Sequence, residues 1–360
     1  LLKPGENATG VVLGDGWYRG RLVGRGRWNH YGNKLGLLYQ LEIEYRDSTR
    51  ETIISDKTWK TAHGPIKFSS IYDGELYDAN NELGTWTESG YNDKEWKEVK
   101  EIQHPLANLI PNEGLPIKMI QQLEVKKKII TPENELVFDF GQILTGVVQF
   151  MLNGKKGDTI TIFHAEVLDK NGNFYTENLR TAEQKVQYVF SGNAEVTYNP
   201  LFSFQGFRYI KIESPLVDID PENFKALVIH SEMTPAGNFY CSDSLINQLY
   251  SNIIWGQKGN FLDIPTDCPQ RDERLGWTGD AQVFSSTAIY NYDVAAFFMK
   301  WLNDLKADQN NNGSVPVVIP KVRGGSESAG WGDAATIIPY MLYLKYGDKK
   351  FLENQYESMK

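Results

Sequence analysis

A change of period at Asn238 constrains the fold more than any other feature of the chain. Before it, apolar residues come in short or alternating runs bounded by Gly, Asn, Asp and Pro, the pattern of half-buried strands. Residues 10–17, 37–45, 136–142, 146–152, 159–163 and 209–213 are such runs. After it, Leu245, Leu249, Asn252 or Ile253, and Gly256 fall on one stripe. An amphipathic helix is therefore predicted over 243–255, with Ser242 or Asp243 as its N-cap. Further helices are predicted up to Tyr292, with Thr278 as N-cap and Asp280 in the first turn, and over 294–308, 333–346 and from 349 to the end. Only Asp293 separates the first two of these, so they should form an antiparallel hairpin. Residues 107–116, with two prolines, a glycine and two asparagines, read as a linker between two β-rich parts.

Composition removes several function classes. A length of 360 residues implies more than one domain, and 41% hydrophobic with 23% charged residues describes globular material with substantial cores. Net charge −9 and a pI near 5.2 argue against nucleic acid or an anionic membrane as partner. No apolar run approaches the ~20 residues of a membrane span. Two cysteines, Cys241 and Cys268, cannot make a disulfide framework. Five scattered histidines offer no zinc-type pair, so no metal or cofactor is expected, an oxygen-ligated calcium alone staying open. The chain opens on Leu1-Leu-Lys-Pro-Gly, which reads as a start inside an existing domain and leaves localisation open between cytoplasm and export.

Chemistry concentrates in Asp267-Cys-Pro-Gln-Arg-Asp-Glu-Arg-Leu-Gly-Trp-Thr-Gly-Asp280. Four carboxylates (Asp267, Asp272, Glu273, Asp280), two guanidiniums (Arg271, Arg274) and Trp277 stand beside apolar runs. Carboxyls at low-dielectric surface acquire separated pKa values and suit acid/base work; the plainer alternative is a solvated loop of ion pairs. Pro269, Gly276 and Gly279 make much of the stretch loop; were it partly helical, Glu273, Trp277 and Asp280 would share a face and Asp272 would not. Other motifs carry less. The glycines of 14–20 have the wrong spacing for a dinucleotide loop, and Gly325-Ser-Glu-Ser-Ala-Gly330 is no nucleophile elbow. Arg19, Arg21, Arg25 and Arg27 read as a solvated basic face, and His164 with Glu166 lacks a third group to complete a site.

The 267–280 stretch resembles the signature of bacterial-type α-L-rhamnosidases, inverting glycoside hydrolases. Gly16-Trp-Tyr-Arg-Gly-Arg21, Phe138-Asp-Phe-Gly141, His164-Ala-Glu-Val-Leu-Asp169 and Phe204-Gln-Gly-Phe-Arg-Tyr209 resemble phrases of the same family. The resemblance implies two antiparallel β-sandwich domains followed by the first part of an (α/α)6 toroid catalytic domain. The divisions are 1–106 (incomplete, jelly-roll-like), 107–235 and 236–360. It implies Glu273 as general acid, and Asp267, Arg271, Trp277, Asp280, Trp331 and Asp333 as the sugar-binding set, although Asp333 could equally cap the following helix. Substrates would be rhamnose-containing oligosaccharides or glycosides. The general base would lie beyond Lys360, so this piece alone is expected to be inactive. Another (α/α)6 toroid glycosidase, or a non-catalytic carbohydrate-binding protein, is the alternative.

Overall fold

The computed structural model describes residues 2–24, 27–103, 105–107, 109–192, 194–216, 219–322 and 327–360. Arg25 and the first two residues of the 325–330 motif therefore lie outside the described residues.

The first runs behave differently from each other. Residues 10–15 form no strand, and Gly16–Arg19 forms one helical turn, α1, closed by the Arg19–Asp15 ion pair at 2.7 Å. Strand Gln40–Glu44 does form and pairs antiparallel with Arg50–Ile54. In their turn Asp47 Oδ1 accepts from the N–H and hydroxyl of Thr49.

The main sheet has ten strands among the described residues. Its path runs Ile66–Ser70, Gly74–Asp78, Lys185–Val189, Thr159–Ala165, Gln205–Glu213, Leu136–Asn153, Phe224–Ser231, Ile117–Glu124, with Lys127–Ile130 and Glu195–Tyr198 also paired to Leu136–Asn153. The runs 136–142 and 146–152 are one strand of 18 residues, not two. It passes through Gly141 at φ +77°, beside a register shift at Phe207/Tyr209, where Arg208 donates from Nε and Nη2 to both oxygens of Asp139 at 2.8 Å. Buried and half-buried positions alternate along Thr159–Ala165, and the inner face supplies Phe138, Phe150, Ile160, Ile162 and Phe224 to the sheet core.

Two of these strands, Ile66–Ser70 and Gly74–Asp78, come from the N-terminal side of residue 106, and Gly74–Asp78 lies parallel to Lys185–Val189. The sheet thus takes strands from both sides of that division. Gly74 makes the join possible: at φ +102°, a Cβ there would sit 1.8 Å from the carbonyl oxygen of Lys185.

The helical part follows the predicted order: α2 Ser244–Asn260, α3 Thr278–Asn291, α4 Ala295–Asp308, α5 Ala334–Tyr346 and α6 Lys350–Met359. Asp243 caps α2, its carboxylate accepting from the N–H groups of Leu245 (2.8 Å) and Ile246 (3.3 Å). Asp293 accepts from the Ala295 N–H at 3.2 Å at the start of α4. Thr278 does not cap α3. It is the first helical residue, and its hydroxyl donates to Val317 O at 3.1 Å. The stripe expected to bury α2 is also misplaced: Leu245 and Leu249 are 79% and 57% exposed. Trp255 packs instead on the sheet core and Ile254 on the helical core, because α2 lies against the sheet, where Thr145 Oγ1 donates to Gly259 O at 2.8 Å.

Between sheet and helices lies a third, smaller core. Leu22, Ile71 and Tyr72 from the N-terminal part, Leu179 and Ala182 from the sheet connection, Leu275 from the charged stretch, and Val317, Val318 and Val322 from the α4–α5 link meet there. Every part of the chain contributes, and the charged loop is packed onto it.

Candidate active site

The charged stretch is loop up to Trp277, and its last three residues open α3. Residues 267–277 close a loop in which Asp267 N donates to Leu275 O (3.1 Å) and Leu275 N donates to Asp267 Oδ1 (2.9 Å). Arg274, 1% exposed and at φ +50°, is the peg that holds the loop down. Its guanidinium donates to the carbonyls of Ile71, Phe204 (2.7 Å), Gln270 (3.0 Å) and Arg271 (3.2 Å) and to the side-chain oxygens of Gln184 and Gln205. Asp272 accepts from the Thr181 hydroxyl and ties the loop to the connection that carries Arg180. Arg21 belongs to the same supporting layer. It is 7% exposed and not part of a solvated face, since it pairs with Asp73 and donates to Thr181 Oγ1 (2.9 Å).

On this base stands Glu273, 8% exposed. Its Oε2 accepts from Arg180 Nη1 at 2.8 Å and Arg271 Nε at 3.1 Å, and its Oε1 from the Trp277 indole N–H at 3.1 Å. Arg271 also donates to Asp267 Oδ2 at 3.3 Å, so one guanidinium spans two carboxylates. Asp267 then lines a cleft of about 720 Å³ together with Asp280, Trp331, Gly279 and Phe284. Burial raises the carboxyl of Asp267, with the charge of Glu273 adding to it. Partial burial likewise raises Asp280, reinforced by the charges of Asp267 and Glu273. These three acids therefore share one electrostatic environment.

The structure brings together Asp267, Arg271, Glu273, Trp277, Asp280 and Trp331. Asp333 stands apart: it is exposed at the start of α5, its carbonyl accepts from Thr336 and Ile337, and its side chain makes no capping bond. Asp267, Cys268 and Glu273 present potential ligand atoms within 4.8 Å of one another. Arg271 bridges the two carboxylates, and burial pushes the Cys268 thiol up to about 12, a donor set ill suited to a cation. His164 is buried with Nδ1 2.7 Å from Gln184 O, while the charges that act on Glu166 are Arg271 and Arg274.

Sequence reasoning missed Arg180 and Tyr72. Tyr72 donates its hydroxyl to the backbone carbonyl of Glu273 at 2.6 Å. Neither residue has a local signal, because each reaches the site from a remote stretch of chain.

A carboxyl held by two guanidiniums and an indole, tied through Arg271 to an acid- and tryptophan-lined cleft in a helical part that follows β-rich parts, has the residue set of a carbohydrate-acting site. Residues 234–360 match the bacterial α-L-rhamnosidase 6 hairpin glycosidase domain, residues 1–121 the α-L-rhamnosidase N-terminal domain, and residues 129–230 the bacterial α-L-rhamnosidase concanavalin-like domain. The chain belongs to the bacterial α-L-rhamnosidase family. An α-L-rhamnosidase of Formosa agariphila is 41% identical over 367 residues, covering all of this chain and 39% of the relative. The crystal structure of native α-L-rhamnosidase from Aspergillus terreus superposes with a TM-score of 0.93 at 40% identity, over 96% of this chain and 41% of that one. That of Streptomyces avermitilis α-L-rhamnosidase complexed with L-rhamnose gives 0.92 at 38% identity, over 96% and 34%. The chain thus spans about two fifths or less of the length of the relatives it matches. Among the described residues, no helix is long and apolar enough to cross a membrane.

Proposed function

We propose that the complete protein hydrolyses terminal α-L-rhamnosides with inversion, and that Glu273 is its general acid. What supports this is a buried Glu273 tied through Arg271 to Asp267, which lines the acid- and tryptophan-lined cleft. Glu273 would give its proton to the glycosidic oxygen as the bond to the anomeric carbon breaks. A second carboxylate, expected some 6.5–9.5 Å away, would take a proton from water, whose oxygen joins that carbon from the opposite face. Products are the free sugar and the alcohol, and the two proton transfers balance. We place that base beyond residue 360, in keeping with the share of the relatives that the chain spans.

Asp267, Arg271 and Asp280 would bind sugar hydroxyls, and Trp277 and Trp331 would pack against its apolar C–H face and methyl group. Asp333 is proposed only as a peripheral contact. We also propose the finer architecture of two β-sandwiches (1–106 and 107–235), the first lending its strands Ile66–Ser70 and Gly74–Asp78 to the sheet of the second, and the first part of an (α/α)6 toroid (236–360). The rhamnosidase relatives speak for this substrate over another toroid glycosidase or a binding protein.

The test is turnover of a panel of aryl glycosides and of a rhamnose-containing disaccharide by the complete protein and by Glu273→Gln. Rhamnoside turnover with the disaccharide activity lost in the variant supports the reading. No turnover of any α-L-rhamnoside by the intact protein would sink it.

A further inference from the structure

We propose that Arg180 is a positioning residue that fixes which oxygen of Glu273 carries the transferable proton. This rests on Glu273 being the acid. Glu273 Oε2 accepts from Arg180 Nη1 at 2.8 Å and from Arg271 Nε at 3.1 Å. A guanidinium has donors and no acceptor. A proton on Oε2 would therefore meet two N–H groups, while Oε1, among the described residues, meets the Trp277 indole N–H. The neutral acid carries its proton on Oε1, which is the oxygen left to reach the glycosidic bond.

Arg271 alone cannot impose this, because it is shared with Asp267. Arg180 donates, among the described residues, to Glu273 only, and it comes from a different layer of the molecule. Its backbone is at φ +60°, ψ −107°, the mirror image of an ordinary extended conformation, which glycine adopts freely and other residues adopt only when held. It is held on both sides. Leu179 is 1% exposed in the third core, and Thr181 bonds to both Asp272 and Arg21. The clamp aims the guanidinium at the carboxyl and keeps the carboxyl from turning over.

General acid assistance matters most for a poor leaving group. In the complete protein, Arg180→Gly removes the donor while keeping a residue suited to that φ. It should lower kcat on an alkyl rhamnoside or disaccharide roughly tenfold to a hundredfold. On a dinitrophenyl rhamnoside kcat should change less than about threefold, with KM little altered on either substrate. Arg180→Met should show the same selective loss, and Arg180→Lys should recover part of it. Equal losses on both substrates, or none, in the two donor-less variants would overturn the proposal. With wild type active and Glu273→Gln selectively impaired, that result removes Arg180 alone. A wild type that turns over no α-L-rhamnoside overturns the acid assignment, and the role of Arg180 falls with it.

Discussion

The hydroxyl of Tyr72 donates to the backbone carbonyl of Glu273 at 2.6 Å, joining residues 201 positions apart. Tyr72 is fully buried in the third core, its ring beneath the guanidiniums of Arg21 and Arg274. Burial pushes its phenol up to about 12, so it stays a donor throughout the neutral range. Tyr72→Phe keeps the packing and leaves this carbonyl without its donor. The expected loss is about 1–2 kcal/mol of stability, read by thermal denaturation. A severalfold fall in kcat should accompany it, because the carbonyl belongs to the residue that carries the acid. A variant indistinguishable from wild type in both measurements would show the bond to be incidental.

Arg274 is the stronger tie. Its partners lie in the N-terminal part, the sheet domain and the charged loop itself. Burial lowers its pKa to about 10, still leaving it charged at neutral pH. A lysine cannot present donors in a planar fork to so many carbonyls. Arg274→Lys should cost on the order of 3 kcal/mol or more, since buried acceptors would be left unpaired. Urea denaturation measures the loss, and protease cleavage within 267–277 should become faster than elsewhere.

Stability should also depend on His164. Burial, reinforced by the charge of Arg274, holds its imidazole down at about 4, against 6.5 in an open chain. With Nδ1 facing the Gln184 carbonyl, the ring is folded in as the neutral Nδ1–H form. Unfolding therefore takes up a proton between those two values. The stabilisation is complete above pH 6.5 and is lost as pH falls toward 4, on the order of 3 kcal/mol in all. His164→Gln should be less stable at pH 7.5 yet flatter through that window. Parallel pH–stability curves for the two proteins would count against it.

Much of this was legible locally. The switch of period at Asn238 marked where strands give way to helices, and Asp243 announced the start of α2 as the cap it is. The charged stretch pointed to the cleft because Asp267, Glu273, Trp277 and Asp280 are near neighbours in sequence. What was not legible depends on distant partners. Period alone put Leu245 and Leu249 on one stripe, but only the position of the sheet decides which side of α2 is covered. Arg21 looked like one of several surface arginines until Asp73 and Thr181 met it. Arg180 carries no motif, and its role follows from a strained turn 93 residues from Glu273.

Gly276 and Gly279 were read as loop punctuation, but neither has a positive φ; both are glycine for want of room. A Cβ on Gly276 would lie 2.1 Å from the backbone oxygen of Ile319, which itself accepts from the Trp301 indole N–H at 3.1 Å. Backbone in that position cannot yield, because Ile319 N also donates to Gly276 O at 2.8 Å. Gly276→Ala should therefore destabilise the fold by about 3 kcal/mol. A Cβ on Gly279 would instead meet the indole of Trp331 at 2.8–2.9 Å, and that side chain is 39% exposed and free to swing. Gly279→Ala should fold with a loss below about 1 kcal/mol. Its defect should appear in substrate binding, as a KM raised roughly tenfold at nearly constant kcat. Denaturation and steady-state kinetics on the pair separate the two roles. If Gly279→Ala lost stability like Gly276→Ala, or kept its KM, Trp331 would not be the sugar platform proposed for it.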